Sequence, residues 1–492
     1  MSFRGLGVAN RENHVIMQSL VTAPLGLYGW TELEPILLAA LVSEEPLLLV
    51  GPHGCAKSFV LERLAESLGL AFRCYNASLI NYDDLVGIPM PDDTRTSLHF
   101  LAGPECIWDA EVVFIDELNR TRPDLQNKLF PIIHERRVQG RPLEKLRYRW
   151  AAMNPPPSEE DLADDSAGAY LGAEPLDAAL ADRFPFIVPV PAWRDLGEAE
   201  QRQVLADQFQ GRHEFPVAIA DLIAEAKAEY RRLQADLPQR LVSFVLSVVP
   251  RLQGANFDVS TRRATMLLRC ILAVHAARLV LARRTAAEEA PSMEGSVLLA
   301  VRNALPDRAR RPLSEAQITG LCREAWTDSA LSADDPMRAI LHEADPQKRL
   351  EKLVPMHESF DASQVAKIVC RGIATAKPPL RRGLALATYL ALRGRADLPA
   401  STMELLANEV APVFRYSEHT ALVASPKARP SRAVASCMQE VSTRPEFAGN
   451  ADFLTLHGNL LQSFLPDGYV DDAAPAALST EFIRLWKEFR LQ

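Results

Sequence analysis

Few folds can accommodate Pro46–Ser58, which reads PLLLVGPHGCAKS. Leu47–Val50 is a short apolar run that stops at a glycine, the pattern of a buried strand. Lys57-Ser58 then open an amphipathic helix with Leu61, Leu64, Ala65 and Leu68 on one face and Gly69 as its stop. A strand, a tight loop and a helix beginning Lys-Ser together make a phosphate-binding loop. The loop Gly51-Pro52-His53-Gly54-Cys55-Ala56 and the helix N-terminus offer fixed positive potential to a polyphosphate. Lys57 adds a mobile charge for the β- and γ-phosphates, and Ser58 a hydroxyl for Mg2+. The usual pattern is G-x-x-x-x-G-K-[ST], and Ala56 stands where it has glycine. The expectation is that the loop tolerates alanine only if φ there is negative. The plain alternative is a glycine-rich turn that happens to precede a lysine. His53 and Cys55 have no obvious partner nearby in sequence and read as incidental members of the loop.

Glu111–Asp116, EVVFID, is a buried strand of β-branched and aromatic residues that ends in two acids. A carboxylate at the carboxyl end of a strand beside a phosphate loop can hold Mg2+, so Asp116 joins Ser58 as a metal candidate. Glu117, one residue on, can orient and deprotonate a water aimed at the γ-phosphate. Acids at a helix start are also favoured by the macrodipole alone, so the pair gains its meaning from the loop. Asn154 ends the next strand, Tyr148–Met153, where an amide could touch the γ-phosphate or the attacking water; before three prolines it could equally be a turn residue. Arg183, in LADRF, and Arg262, in VSTRRA, lie near element ends and by themselves read as surface charges.

Composition narrows the class without naming a partner. The chain has 492 residues, 48% hydrophobic and 24% charged, with a net charge of −9. Two to four domains are expected at that length. The acidic balance argues against a protein that coats nucleic acid. Seven scattered cysteines contain no C-x-x-C pair, hence no zinc or disulfide framework, which fits a reducing cytoplasm. MSFRGLGVANRENHV lacks the apolar core of a signal peptide. No apolar run reaches membrane-spanning length, since Glu44 and Glu45 interrupt one candidate and His275 and Arg278 the other. The expectation is a soluble, cytoplasmic chain with no membrane contact.

Along the chain, Thr31-x-x-Glu34 reads as a capping box for a helix to about Val42. Asp83–Thr96, rich in Pro, Gly and Asp, reads as a loop or insertion, and Arg136–Arg149, with Gly140 and Pro142, as a hairpin. Strands alternate with helices to about Pro191, the pattern of a parallel sheet covered on both faces. From Trp193 the chain reads as helices only: one capped by Asp195, then Val217–Leu233, Pro238–Val249 and Arg263–Ala282. Boundaries are placed near 191 and 313.

GPHGCAKS, FIDELNR, AAMNPPP, ALADRF and VSTRRA, in that order, resemble the MoxR branch of AAA+ ATPases, nearest to its RavA-type members. The resemblance covers about residues 10–312, and that branch tolerates Ala before the loop lysine. It implies a five-stranded parallel α/β P-loop core over residues 1–191, a helical lid over 192–312, and a hexameric ring with nucleotide between subunits. Residues 313–492 would then be a helical domain for partner binding or assembly. Carried over, Lys57 and Ser58 bind phosphate and Mg2+, Asp116 and Glu117 form Walker B, and Asn154 is sensor 1. Arg183 would be the arginine finger reaching the neighbour's site, and Arg262 sensor 2 in its own subunit. Arg120 and Asn76 sit where the family places polar groups near the γ-phosphate. Asp83–Phe100 would include the helix-2 insert, and Arg136–Arg149 would be the pre-sensor-1 hairpin, both facing the ring channel. Members of this kind remodel protein clients, often with a partner bearing a von Willebrand A domain.

Two other readings compete. The hairpin's Arg136, Arg137, Arg141, Lys145, Arg147 and Arg149, beside Tyr148 and Trp150, could grip a nucleic-acid backbone, as in a DNA-targeting defence complex. A solvated hairpin face with core aromatics is the simpler account. The other reading, a nucleotide-gated scaffold without hydrolysis, is hard to square with intact Asp116, Glu117 and Arg183. The final helix, Thr480–Arg490, carries Phe482, Leu485, Trp486 and Phe489 on one stripe, which reads as core packing rather than a docking face.

Overall fold

The computed structural model describes residues 19–491 apart from 92, 94–97, 157–174, 208–217, 333, 342, 344, 379, 416–428, 448 and 465–472. The chain forms two compact units, Met1–Ala330 and Leu331–Gln492. The first runs α1 (Glu34–Ser43), β1 (Leu47–Val50), α2 (Lys57–Ser67), β2 (Phe72–Asn76), α3 (Tyr82–Val86), β3 (Ile88–Pro91) and β4 (Leu98–Leu101). Then come β5 (Val112–Asp116), α4 (Pro123–Phe130), β6 (Arg137–Val138), β7 (Arg141–Pro142), β8 (Tyr148–Met153), α5 (Ala178–Ala181) and β9 (Phe186–Pro189). Helices follow: α6 (Glu198–Asp207), α7 (Ala218–Ala235), α8 (Gln239–Gly254), α9 (Thr261–Arg284), α10 (Met293–Arg302) and α11 (Glu315–Asp328).

Five strands make one parallel sheet in the order β2-β5-β8-β1-β9. Its strands are buried on both faces, so alternate residues enter different cores. Leu47 and Leu49, Val112 and Phe114, and Phe186 and Val188 face a cluster shared with α1, α2 and the helices after α6. Leu48 and Val50, Val113 and Ile115, and Ile187 face a second cluster with Leu125, Leu129 and Leu180. Each such side chain contributes about 1.5–3 kcal/mol of burial, which is why runs without polar alternation settle here. Parallel registers align the strand ends, Val50 with Met153 and Asn76 with Asp116, so the residues following them gather at one edge of the sheet.

The helices after β9 do not form a separate body. Leu241, Phe244, Leu267, Ile271 and Val280 belong to the same cluster as the strands. A division near 191 therefore separates topologies, not cores. The expected boundary near 313 falls inside the first unit, because α11 places Ile318, Leu321, Ala325 and Trp326 in that cluster. Among the described residues one helix, α9, is long and apolar enough to cross a membrane by length and composition. His275 and Arg278 interrupt its apolar run in the sequence. Both are satisfied inside the unit, His275 against the Ser296 hydroxyl at 2.9 Å and Arg278 on the Ser292 carbonyl at 3.0 Å.

Several local expectations give way to stronger contacts. Glu34 closes no capping box: its carboxylate is buried and accepts the backbone N–H groups of Leu20, Val21 and Thr22 at 3.1, 2.9 and 2.7 Å. That grip ties the preceding segment, with buried Val21, Leu25 and Trp30, to the core. Asp195 turns its carboxylate back to the Ala192 N–H, and Glu200 instead accepts from Gly197 ahead of α6. The stretch read as a loop from Asp83 holds part of α3 and β3, which pairs with β4 as an antiparallel ribbon; residues 92 and 94–97 of it lie outside the described set. The hairpin from Arg136 forms, with β6 and β7 paired two residues each.

The second unit is helical in all its described regular elements, from Pro336–Leu341 to Ala474–Glu488. Its core contains Phe482, Leu485, Trp486 and Phe489, each at most 6% exposed. The apolar stripe of the final helix is packing.

Candidate functional site

The phosphate loop turns sharply because two of its positions permit it. A side chain on Gly51 would meet the Val190 methyl at 2.3 Å, so only glycine lets β1 lie this close to the end of β9. Gly54 has φ +75°, in the left-handed region. Ala56 also has positive φ, +58°, contrary to the expectation of a negative value. An L-residue there costs about 1–2 kcal/mol. The methyl group is accepted because the backbone beyond it is fixed: the Val60 N–H donates to the Ala56 carbonyl at 3.0 Å, the first bond of α2. Cys55 is not incidental to the loop's footing. It is buried in the core beneath it, and burial pushes its thiol up, against the pull of Lys57.

Lys57 is 8% exposed and folds back on the loop, donating to the Gly51 and Pro52 carbonyls at 2.8 and 2.7 Å. Burial pushes its ammonium pKa down, with Cys55, Asp116 and Glu117 opposing. Ser58 donates to Asp116 Oδ2 at 2.9 Å, and Asp116 Oδ1 accepts the Glu117 N–H at 2.8 Å. Glu117 lies in the left-handed region at φ 53°. Its carboxylate accepts from the Ser78 hydroxyl at 3.1 Å and faces Arg120 at 3.6 Å. Ser78 is itself held by Asn76, whose Oδ1 accepts its backbone N–H at 2.9 Å. Asn76 thus reaches Glu117 through Ser78, a residue the sequence reading missed. The short-range signal was there, since Asn followed two residues on by Ser is a common side-chain-to-backbone turn.

Asn154 is 2% exposed at the end of β8. Its amide nitrogen lies 3.2 Å from His53 Nε2, and its carbonyl accepts from Asn119 at 3.3 Å. His53, Gly54, Cys55, Ala56, Lys57, Ser58, Asp116, Glu117 and Asn154 all line one cavity of about 260 Å³. The Ser58 hydroxyl and Asp116 carboxylate are hard oxygen donors side by side, the donor set Mg2+ prefers. Two protein donors leave the remaining positions of such an ion to water and phosphate oxygens.

Arg183 and Arg262 are not on that cavity. Arg183, just after α5, stacks over the Phe130 ring at 4.1 Å. Burial and the charge of Arg262 push its pKa down, and the same two arginines, after burial, depress His134. Arg262 therefore shares a corner with Arg183, 3.6 Å from Asp182, instead of reaching its own chain's phosphate loop as the resemblance implies. The cause is the next residue. Arg263 is 1% exposed and donates to Asp182 and to the carbonyls of Ala181, Phe184 and Ala304, while Ser260 caps α9 and donates to Asp182. The start of α9 is thus pinned to the Ala181–Phe184 turn.

Residues 46–184 match the family model of the AAA domain (dynein-related subfamily). A solved structure, that of a candidate ATPase from Cytophaga hutchinsonii, is similar at 19% identity, covering 63% of this chain and 91% of its own, with a TM-score of 0.43. The matched stretch is an AAA domain. It begins just before β1 and ends just after Arg183, so it takes in the whole cavity and leaves out Arg262.

The basic hairpin of the AAA domain is occupied by the protein itself. Arg147 and Arg136 face Glu44 at 3.2 and 3.7 Å, and Lys145 pairs with Asp109 at 2.7 Å. Arg149 is 5% exposed and donates to the carbonyls of Ile133, Glu44 and Arg147. Arg141 lies over the Trp108 ring at 5.3 Å, and Arg137 donates to the Gly140 carbonyl. Tyr148 and Trp150 are buried against each other. Arg137, Arg141 and Lys145 stay exposed while making these contacts.

Proposed function

We propose that the chain hydrolyses ATP and couples hydrolysis to the remodelling of a partner protein, as a MoxR-type motor of RavA-like kind. The observation that carries the hydrolysis is the convergence of Lys57, Ser58, Asp116, Glu117 and Asn154 on one cavity at the carboxyl edge of a parallel sheet. In this reading the Gly51–Ala56 backbone and Lys57 hold the β- and γ-phosphates, Lys57 exchanging its loop carbonyls for phosphate oxygens. Ser58 and Asp116 would hold Mg2+, which supplies neutralisation of phosphate charge. Glu117, oriented by Ser78 and Arg120, takes the proton of the attacking water. Asn154 donates to the γ-phosphate or that water.

Arg183 lies off its own chain's cavity, as an arginine finger acting on a neighbouring subunit of a ring would, with six copies as the family layout. There it would stabilise charge developing on the transferred phosphoryl group. A client protein, presented through a von Willebrand A domain partner, completes this reading, and the Leu331–Gln492 unit is the candidate for that docking. The alternative of a silent nucleotide-gated scaffold is disfavoured by the free cavity face of Glu117.

The test is ATP turnover per chain as protein concentration rises, for wild type beside Arg183→Ala. Turnover should climb with concentration and fall in the variant by about 10³-fold, the weight such an arginine carries elsewhere. Turnover flat in concentration and indifferent to Arg183 would remove the ring mechanism.

A further inference from the structure

We propose that His53, a phosphate-loop residue with no role in the reading above, is a positioning residue that sets Asn154 for hydrolysis. The inference rests on the ATPase reading and deepens it. His53 is the exposed third residue of the loop, and Asn154 is buried at the end of the neighbouring strand. Their side chains meet at 3.2 Å, Asn154 Nδ2 to His53 Nε2, at the wall of the same cavity. An amide nitrogen only donates, so the imidazole Nε2 is the acceptor. The amide nitrogen carries two protons. One is committed to His53; the other remains for a phosphate oxygen or the attacking water.

The backbone explains why this link transmits position. The Gly51 N–H already donates to the Met153 carbonyl at 3.1 Å, so loop and strand are joined one residue before Asn154. His53 adds a side-chain tie from the loop's turn to the Asn154 amide itself. When phosphate arrives and the loop adjusts to it, the imidazole moves with the loop and turns the amide with it. Without an acceptor at 53, the Asn154 amide loses the contact that fixes its rotation on the loop side. Binding is left to the loop backbone and Lys57, so the effect falls on turnover.

The test uses the full chain with ATP for turnover and a fluorescent ADP analogue for binding, on His53→Ala, His53→Gln, Asn154→Ala and the double alanine variant. His53→Ala should lower kcat about tenfold, the scale of a residue that orients a reacting group through another, with analogue affinity little changed. His53→Gln, whose carbonyl can accept from the amide, should recover most of the rate. The double variant should be no slower than Asn154→Ala alone, because both changes remove one device. Full turnover in His53→Ala, losses that multiply in the double variant, or loss of analogue binding in His53→Ala would each overturn the proposal. A wild type that binds the analogue but does not hydrolyse ATP overturns the ATPase reading as well, a result distinct from active wild type with active His53→Ala.

Discussion

Glu117 and Glu44 are built alike and surrounded differently. Both are acids held in left-handed backbone, at φ 53° and 52°, just past the end of a regular element, and both face arginine. Glu44, at the end of α1, is surrounded. Lys227 on α7 reaches it at 2.8 Å, Arg147 at 3.2 Å and Arg136 at 3.7 Å, while its own carbonyl accepts from Arg149 at 2.7 Å. Next to it Glu45 takes Arg269 of α9 at 2.8 Å. Glu117 has Arg120 at 3.6 Å and the Ser78 hydroxyl, and beyond them the cavity. A carboxylate enclosed by three cations is a clamp between helix, hairpin base and the helices after β9. A carboxylate with one loose cation and an open side can take a proton from water. The number and reach of partners separates the two, where charge density in the sequence does not.

The largest effect should come from Glu117→Gln. It keeps shape and hydrogen bonding but cannot accept a proton, so kcat should fall about 10²–10⁴-fold with binding of the ADP analogue intact. Glu44→Gln should do the reverse, leaving turnover per folded chain near wild type while weakening the first unit by about 1–3 kcal/mol, read by urea unfolding. That figure is set below the cost of stripping a fully buried pair because Glu44 keeps some solvent. If Glu44→Gln abolished turnover at unchanged stability, the distinction between the two acids would fail.

Acid should act on the clamp in a defined direction. Burial pushes the Glu44 carboxyl up, but Lys227 and Arg147 outweigh it and hold the folded value below 4.5, the reference value. Its contribution is therefore complete above about pH 4.5 and is lost as pH falls through the folded value. Unfolding midpoints measured from pH 6 down to pH 3 should drop more steeply in wild type than in Glu44→Gln. Parallel curves would show that the carboxylate's charge is not what holds the clamp.

The sheet, the loop and the acids after β5 were legible because each rests on local pattern: apolar runs for strands, and glycines and Lys-Ser for the turn into α2. What stayed hidden depends on distant residues. Glu44 and Glu45 looked like mere interruptions of an apolar run, since their partners lie up to 224 positions away. Arg136, Arg147 and Arg149 of the hairpin looked available for the same reason, since all three reach Glu44. Thr31 and Glu34 matched a capping box, but the unpaired N–H groups of Leu20–Thr22 outbid the helix for that carboxylate. Arg262 and Arg263 are adjacent and alike in sequence; only the turn at Asp182 shows that one is buried and directs the other.

Ala56 offers the finest test, because alanine favours negative φ, yet the residue sits at φ +58°. The strain is therefore borne by the loop, offset by the α2 bond that its carbonyl accepts and by the Cys55 footing in the core. Ala56→Gly should remove that penalty but give the unfolded chain more freedom, two effects of opposite sign and about 1 kcal/mol each. With the left-handed cost the larger, the variant should be more stable than wild type by a few tenths of a kcal/mol to about 1 kcal/mol. Differential unfolding in urea reads the shift. A destabilised variant would mean that the alanine methyl is packed against the loop and not simply tolerated by it, and the strain would then belong with Glu44's kind of structure and not with Glu117's.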